Sequence, residues 1–448
     1  MLFFSPSGVY AMKEYKRRLL QIAVPIMLSN LISNIQMLID RIFLGRLDVL
    51  YVSAVGNATA PIWTTMSIVY SLAMGASILI SQAVGEGKIE QAKEYAASLH
   101  IFHNIIPFIL FLFWTFFSPL VFKLMGVAPT VMDYCVNYTR LFAPIYIVTG
   151  IGCSMMTMLQ TSNYTKPFVT YGLIRSCLNI VLDYILIFGK LGLPAMGIAG
   201  AALGTTIAEY LGGIYIVIIV AKSKNLITKP SFSQIIHAKF SSYIRTLKLG
   251  VNSALEEFCW NIGNITLISL LNTISDTAAG IYSIVFSIEM IGGIVMGSLG
   301  SGTVTLTGEA TGAKDIKTYR SVIKTSIFWA CCVSAATLVL ALIFPEQIVG
   351  IFTKDRSIIE GSHLYLALVC VNLFSKSTNV IVGSGIKGYG DTKWMFYTQL
   401  FGTVFIISLA SLFILVFKWG MLGAIVAVLI DEFVRALINS GRLLRIKM

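Results

Sequence analysis

Charge is what this 448-residue chain has least of: Asp, Glu, Lys and Arg make up 12% of it, whereas a soluble domain carries about a quarter. With 56% apolar residues and a mean hydropathy of +0.81, the chain has too much apolar surface to hide in a water-soluble fold, so the composition calls for a membrane protein. Only four histidines are present, and His100 and His103 sit one turn apart without a third ligand, which speaks against a metal site. Seven cysteines, Cys135, Cys153, Cys177, Cys259, Cys331, Cys332 and Cys370, fall inside apolar stretches at no metal or redox spacing and are expected to pack as small apolar residues. A phosphate-binding Walker loop and a nucleophile elbow are both missing, which excludes ATP-driven pumping by this chain alone and the commonest hydrolase plan. Gly383-x-Gly385-x-x-Gly388 has dinucleotide-loop spacing, but it follows an apolar helix and lacks a βαβ unit, so it reads as a tight turn between spans. The first eleven residues lack the basic n-region of a signal peptide, and Met12 reads equally well as a start. Nothing in the chain points to an enzyme or to a resident cofactor.

What is present is a succession of apolar runs. They lie at 19–44, 54–83, 96–122, 131–160, 167–189 and 195–221, then at 243–272, 278–307, 322–345, 357–386, 393–418 and 420–441. At ~35 residues per span and connection, this makes about twelve transmembrane helices. The segment from Lys222 to Arg245, with Lys224, Lys229, Pro230 and Lys239, is the one long polar connection. It divides the chain into a segment 1–18, a first six-helix lobe 19–221, a linker 222–242, a second six-helix lobe 243–441 and a tail 442–448. With the N-terminus inside, even-numbered connections and termini carry about 22 Lys and Arg against about 6 in the odd-numbered ones (Arg46, Lys123, Lys190, Lys354, Arg356, Lys418). Segment 1–18, the linker, the tail and both termini are therefore expected in the cytoplasm. The net charge of +12 then has a topological origin and does not imply a nucleic-acid partner.

The two halves repeat. Pro25 corresponds to Asn252, Gly85 to Gly312 and Thr165-Lys166 to Thr392-Lys393, each 227 residues apart, and Gly197–Glu209 matches Gly420–Glu432 at an offset of 223. Six spans per half bring both copies in from the same side, the parallel-repeat plan of transporters.

An ionisable group inside a span costs at least ~2.5 kcal/mol, which makes each one a functional candidate. The first half offers Asp40, Asp183 and Glu209. Helix counting puts Asp40, Asp183, Asn179 (one turn before it), Tyr138 and Thr205 at one level of the outer half. Two carboxylates with amide and hydroxyl neighbours can bind Na⁺ through Asp40, Asn179, Asp183 and Thr205, or can share a proton; Asp40 pairing with adjacent Arg41 is the plainer alternative. The second half offers Glu256, Glu257, Glu289, Asp431 and Glu432 near mid-span as candidate substrate or ion groups, with Lys376 and Arg435 among them. Glu432 with Arg435 also fits an internal ion pair. Pro25 removes a backbone hydrogen bond mid-span and is a candidate hinge, or a static kink.

Taken in order, "AVPIMLSNLISNIQMLIDRIFLGRL", "SILISQAVGEGK", "TKPFVTYGLIRSCLNIVLDYILIFG", "GIAGAALGTTIA" and "GYGDTK" resemble the multidrug and toxic compound extrusion (MATE) family over nearly the whole chain. The resemblance implies an all-α membrane fold of twelve helices in two lobes, of the MATE/MOP type, and an antiporter in the cell membrane, expected to act as a monomer. It would export amphipathic, often cationic compounds in exchange for Na⁺ or H⁺, which are transported rather than held as cofactors. It also implies that Asp40, Asn179, Asp183 and Thr205 carry the coupling cation, with Tyr138 beside them. NorM-type members carry a second-lobe Glu eight residues after a Pro. Here those positions are Asn252 and Trp260, so the resemblance favours a DinF-like mechanism in the first lobe. Two other readings remain. A lipid-linked oligosaccharide flippase of the same superfamily would want a basic cavity, whereas the embedded residues are mostly acidic apart from Arg140, Arg175, Lys376 and Arg435. A passive channel would need neither the carboxylates nor the repeat.

Overall fold

A computed structural model describes residues 8–274, 276–351, 353 and 355–448. The first seven residues of the expected segment 1–18, and Lys354 of the charge count, lie outside the described residues. The described chain is helical without a strand. The helices are α1 (Gly8–Gly45), α2 (Val49–Gly85), α3 (Ile89–Phe102), α4 (Ile105–Leu124), α5 (Pro129–Phe142), α6 (Ile145–Thr161), α7 (Lys166–Phe188) and α8 (Ile198–Lys222). They continue with α9 (Phe232–Ile236), α10 (Phe240–Asn272), α11 (Asp276–Gly312), α12 (Ile316–Ile343), α13 (Pro345–Gly350), α14 (Arg356–Tyr389), α15 (Thr392–Ser411) and α16 (Gly420–Leu444).

Among the described residues nine helical stretches are long and apolar enough to cross a membrane, with α3 and α4 together as one of them. The α5–α6 pair, bent by 43°, makes a tenth. Two more helices have the length, α10 with 33 residues and α16 with 25. They fall short in hydropathy or charge because α10 holds Glu256 and Glu257 and α16 holds Asp431, Glu432 and Arg435.

Local chemistry explains the boundaries. Pro167 stands in the first turn of α7, where its missing N–H costs nothing. Gly189 ends that helix at φ 66°, a left-handed cap that suits glycine. Asp391 caps α15 through the Trp394 amide and is held by Arg442 at 2.6 Å. Asp315 caps α12. Partial burial pushes its carboxyl up, but hydrogen bonds from Thr318 and the Lys317 amide outweigh this and hold it below its ordinary value. The glycine run 383–388 is no turn: it forms the last turns of α14. A Cβ at Gly383 would meet Met395, one at Gly385 would meet Ile323, and one at Gly388 would meet Thr307. The spacing serves helix packing.

Two compact units emerge. The N-unit comprises Pro25–Ile80 and Lys88–Ala254; the C-unit comprises the chain up to Val24, Ser81–Gly87 and Leu255–Met448. The N-unit core gathers Trp114, Phe122 and Tyr146, each no more than 1% exposed, around Ile62 and Ala202. In the C-unit one cluster holds Leu271, Val285, Ala424 and Ile425, and another holds Tyr319, Ile381 and Ile386. The units do not divide at the long polar connection. α1 passes from one to the other at Pro25, and α10 passes at Leu255, close to Asn252, the counterpart of Pro25. Inside the C-unit the ends of α2 and α11 touch symmetrically. A Cβ at Gly85 would overlap the Glu309 carbonyl, and one at Gly312 would overlap the Gln82 carbonyl. Both pairs are related by the 227-residue repeat.

Candidate functional site

In the N-unit, α1, α5, α7 and α8 bring Asp40, Tyr138, Asn179, Asp183 and Thr205 together. Asp183 is fully buried and Asn179 is 1% exposed. The Asp40 and Asp183 carboxyls lie within hydrogen-bonding reach of each other. Gln36 Nε2 donates to Asp40 Oδ2 at 2.5 Å. Asn179 Nδ2 donates to Asp183 Oδ1 at 3.2 Å and to Thr205 Oγ1 at 3.1 Å, and the Thr205 hydroxyl donates to the Ala201 carbonyl at 2.9 Å. Tyr138 stacks on Phe142 and stands within electrostatic range of both carboxylates. Among the described residues three buried oxygens, Asp40 Oδ1, Asn179 Oδ1 and Asp183 Oδ2, find no donor. Buried acceptors crowded without donors call for a proton or a cation between them. Asp40 makes no ion pair with Arg41 among the described residues. Nor do the described residues hold a group of three His, Cys, Asp or Glu fit for a metal ion. His100 and His103 bind separate partners, Ser154 and Tyr243.

Two features of this site are not legible in the sequence, although Arg175 and Glu209 stand out there singly as embedded charges. Gly204 is one: a Cβ there would overlap Asp183 Oδ1, so glycine makes the room that the carboxylate occupies. The other lies one to two turns toward the start of α7. Arg175 pairs with Glu209 at 3.3 Å and donates to Ser33 on α1. An Arg, a Glu and a Ser in three separate spans identify one another only through the fold.

The C-unit acids divide. Glu289, Asp431 and Glu432 line a cavity of about 40 Å³ with Lys376, Arg435, Gln399 and Thr403, room for roughly one water. Lys376 pairs with Glu289 at 2.8 Å, and Arg435 bridges Asp431 at 2.7 Å and Glu432 at 3.0 Å. Glu432 also accepts from Asn379 at 2.8 Å. Glu256 pairs instead with Lys387 at 2.8 Å, and Glu257 is within electrostatic range of that same lysine.

A two-unit helical assembly with repeated halves and buried carboxylates inside its spans defines the class as a membrane transporter. Sequence comparison then matches residues 25–185 and again 253–412 to MatE. The chain belongs to the MatE family, whose members here are transporters and not enzymes. The two matched stretches begin and end 227 or 228 residues apart, the interval of the repeat. The chain is 26% identical over 412 residues to the uncharacterized transporter YisQ of Bacillus subtilis, covering 89% of this chain and 90% of that protein. It is 25% identical over 434 residues to the probable multidrug resistance protein NorM of Thermotoga maritima, covering 94% and 91%. Its fold is similar to that of a multidrug resistance MATE family transporter of the MOP superfamily in an outward-facing conformation (TM-score 0.86, 20% identity, 98% and 99% covered). It is equally similar to a MOP superfamily transporter from Pyrococcus furiosus (TM-score 0.85, 20% identity, 98% and 99% covered).

Proposed function

We propose that the protein is a cation-coupled antiporter of the cell membrane, exporting amphipathic, often cationic compounds in exchange for H⁺ or Na⁺. In this reading it works as a monomer with both termini in the cytoplasm, following the DinF-like mechanism. The observation that carries the proposal is the cluster of donorless buried oxygens on Asp40, Asn179 and Asp183. A cation or proton entering there removes the repulsion between two carboxylates and changes the charge at the C-terminal half of α1. That half begins at Pro25, where α1 changes unit, so a bend at Pro25 would carry the change away from the site. Export couples to entry when ion and substrate stabilise different states of the protein or compete for one. The relatives named for multidrug resistance support a broad substrate range, which apolar and aromatic walls with a few acids accommodate.

The flippase reading wants free basic groups for a pyrophosphate. Arg175, Lys376 and Arg435 are each held by a carboxylate, and Arg140 reaches the Thr115 carbonyl, which favours the antiporter. Efflux of a cationic dye from proteoliposomes under imposed Na⁺ or H⁺ gradients tests the reading. One gradient is expected to drive efflux, and Asp40→Asn or Asp183→Asn to abolish it in a folded protein. Full gradient-driven efflux by both variants would overturn it.

A further inference from the structure

The C-terminal half of α1 lies alongside α7 in register. A Cβ at Gly172 would sit 2.7 Å from Ser29 Oγ and 3.1 Å from Ser29 Cα, so the two backbones meet closely there. One turn on, Arg175 Nη2 donates to Ser33 Oγ. Two turns further, Asp183 meets Asp40. Each α7 residue lies 142 or 143 residues after its partner, so the helices run parallel without slipping for about three turns.

Of these three contacts only the middle one has a long reach and a fixed charge. The guanidinium is anchored on its own side: Nη1 pairs with Glu209 Oε2 on α8 at 3.3 Å, and Tyr171 OH donates to the other Glu209 oxygen at 3.1 Å. The guanidinium also lies 5.8 Å from the centre of the Tyr171 ring. Arg175 and Glu209 side chains are 16% and 13% exposed, so water does little to weaken the pair. Asp40 stands within electrostatic range of the same guanidinium. Two carboxylates thus compete for one cation, and Glu209 has it.

We infer that Arg175 is a positioning residue of the ion site: anchored by Glu209, it holds α1 in register with α7 so that Asp40 stays opposite Asp183. Arg is suited to the task because its planar fork serves Glu209 with one nitrogen and Ser33 with another. Glu209 has a second role, because it keeps the guanidinium from collapsing onto Asp40 and filling the cation's place with a tethered one. The link to ion use rests on the proposed coupling role of Asp40 and Asp183; the hold on α1 does not.

The test pairs a distance with a flux. Spin labels at Ile42→Cys on α1 and Val181→Cys on α7, both more than half exposed, are measured by pulsed electron resonance with exposed Cys177 and Cys332 replaced by Ala. The parent should give one narrow distribution, and Arg175→Lys, which lacks the planar fork, a broader one. Arg175→Gln and Ser33→Ala should add a longer component and lower gradient-driven dye efflux about fivefold or more. Glu209→Gln should keep the narrow distribution yet lose efflux about tenfold, because Arg175 then occupies Asp40. Unchanged distances in both Arg175→Gln and Ser33→Ala would overturn the inference, and Ser33→Ala carries the test should Arg175→Gln not fold. Longer distances with no gradient-driven efflux even in the parent would leave the hold on α1 standing and sink the coupling reading instead.

Discussion

Asp183 owes its room to a neighbour with no side chain. Gly204 leaves the space that Asp183 Oδ1 fills, so Gly204→Ala must displace either α8 or the carboxylate. Overpacking of this kind costs about 1–3 kcal/mol, and a displacement of ~1 Å at a reacting group costs about a hundredfold in rate. The expected result is a lower melting temperature in detergent with efflux reduced far more than the stability loss explains. Elsewhere a single side chain decides stability. Lys376 and Glu289 are paired inside the C-unit with side chains 13% and 7% exposed. Lys376→Met strands a buried carboxylate and should cost about 3–5 kcal/mol, whereas changing both residues to apolar ones should recover most of it. Thermal unfolding of the two variants checks the difference. Asp40, Asn179, Asp183 and Glu209 stand out in the sequence because polar groups are rare in spans, and Arg175 shows there as an embedded base; Gly204, Ser33 and the partnership of Arg175 with Glu209 do not, since their meaning comes from residues in other helices.

At the scale of the helix, α1 is unbroken from Gly8 to Gly45 although Pro25 stands inside it. Proline removes one backbone hydrogen bond and its ring crowds the preceding turn, so the helix keeps a weak point that alanine would repair. Pro25→Ala is expected to raise the melting temperature by a few degrees and slow gradient-driven efflux severalfold. Equal efflux rates with and without the proline would make the kink static. The apolar runs make the helices legible, because a run of about twenty apolar residues has one stable form in a bilayer. Their ends are less so: α1, α2 and α14 extend to 38, 37 and 34 residues beyond the runs that mark them. The glycines of α14 read as a turn because their spacing is also that of loop chemistry; inside a helix the same small residues let neighbours approach.

For the whole chain, the repeat is written in the sequence and the exchange of segments is not. Residues up to Val24 and Ser81–Gly87 belong with the second half, and residues 240–254 belong with the first. A boundary in the polar connection therefore cuts both units. Chains ending at residue 230 and starting at 231 should each be unstable when made alone and recover efflux when made together. A stable, monodisperse half on its own would speak against the exchange. The exchange was invisible because hydropathy marks where a helix lies and says nothing about which neighbour it keeps.

In the proposed function Asp40 and Asp183 act as one site. Gradient-driven dye efflux measured for Asp40→Asn, Asp183→Asn and the double variant tests it most directly. Residues that work as a unit are non-additive, so each single variant should lose as much as the double. Independent, additive losses, or a single variant that keeps most of its efflux, would mean that the two carboxylates do not form one coupling site.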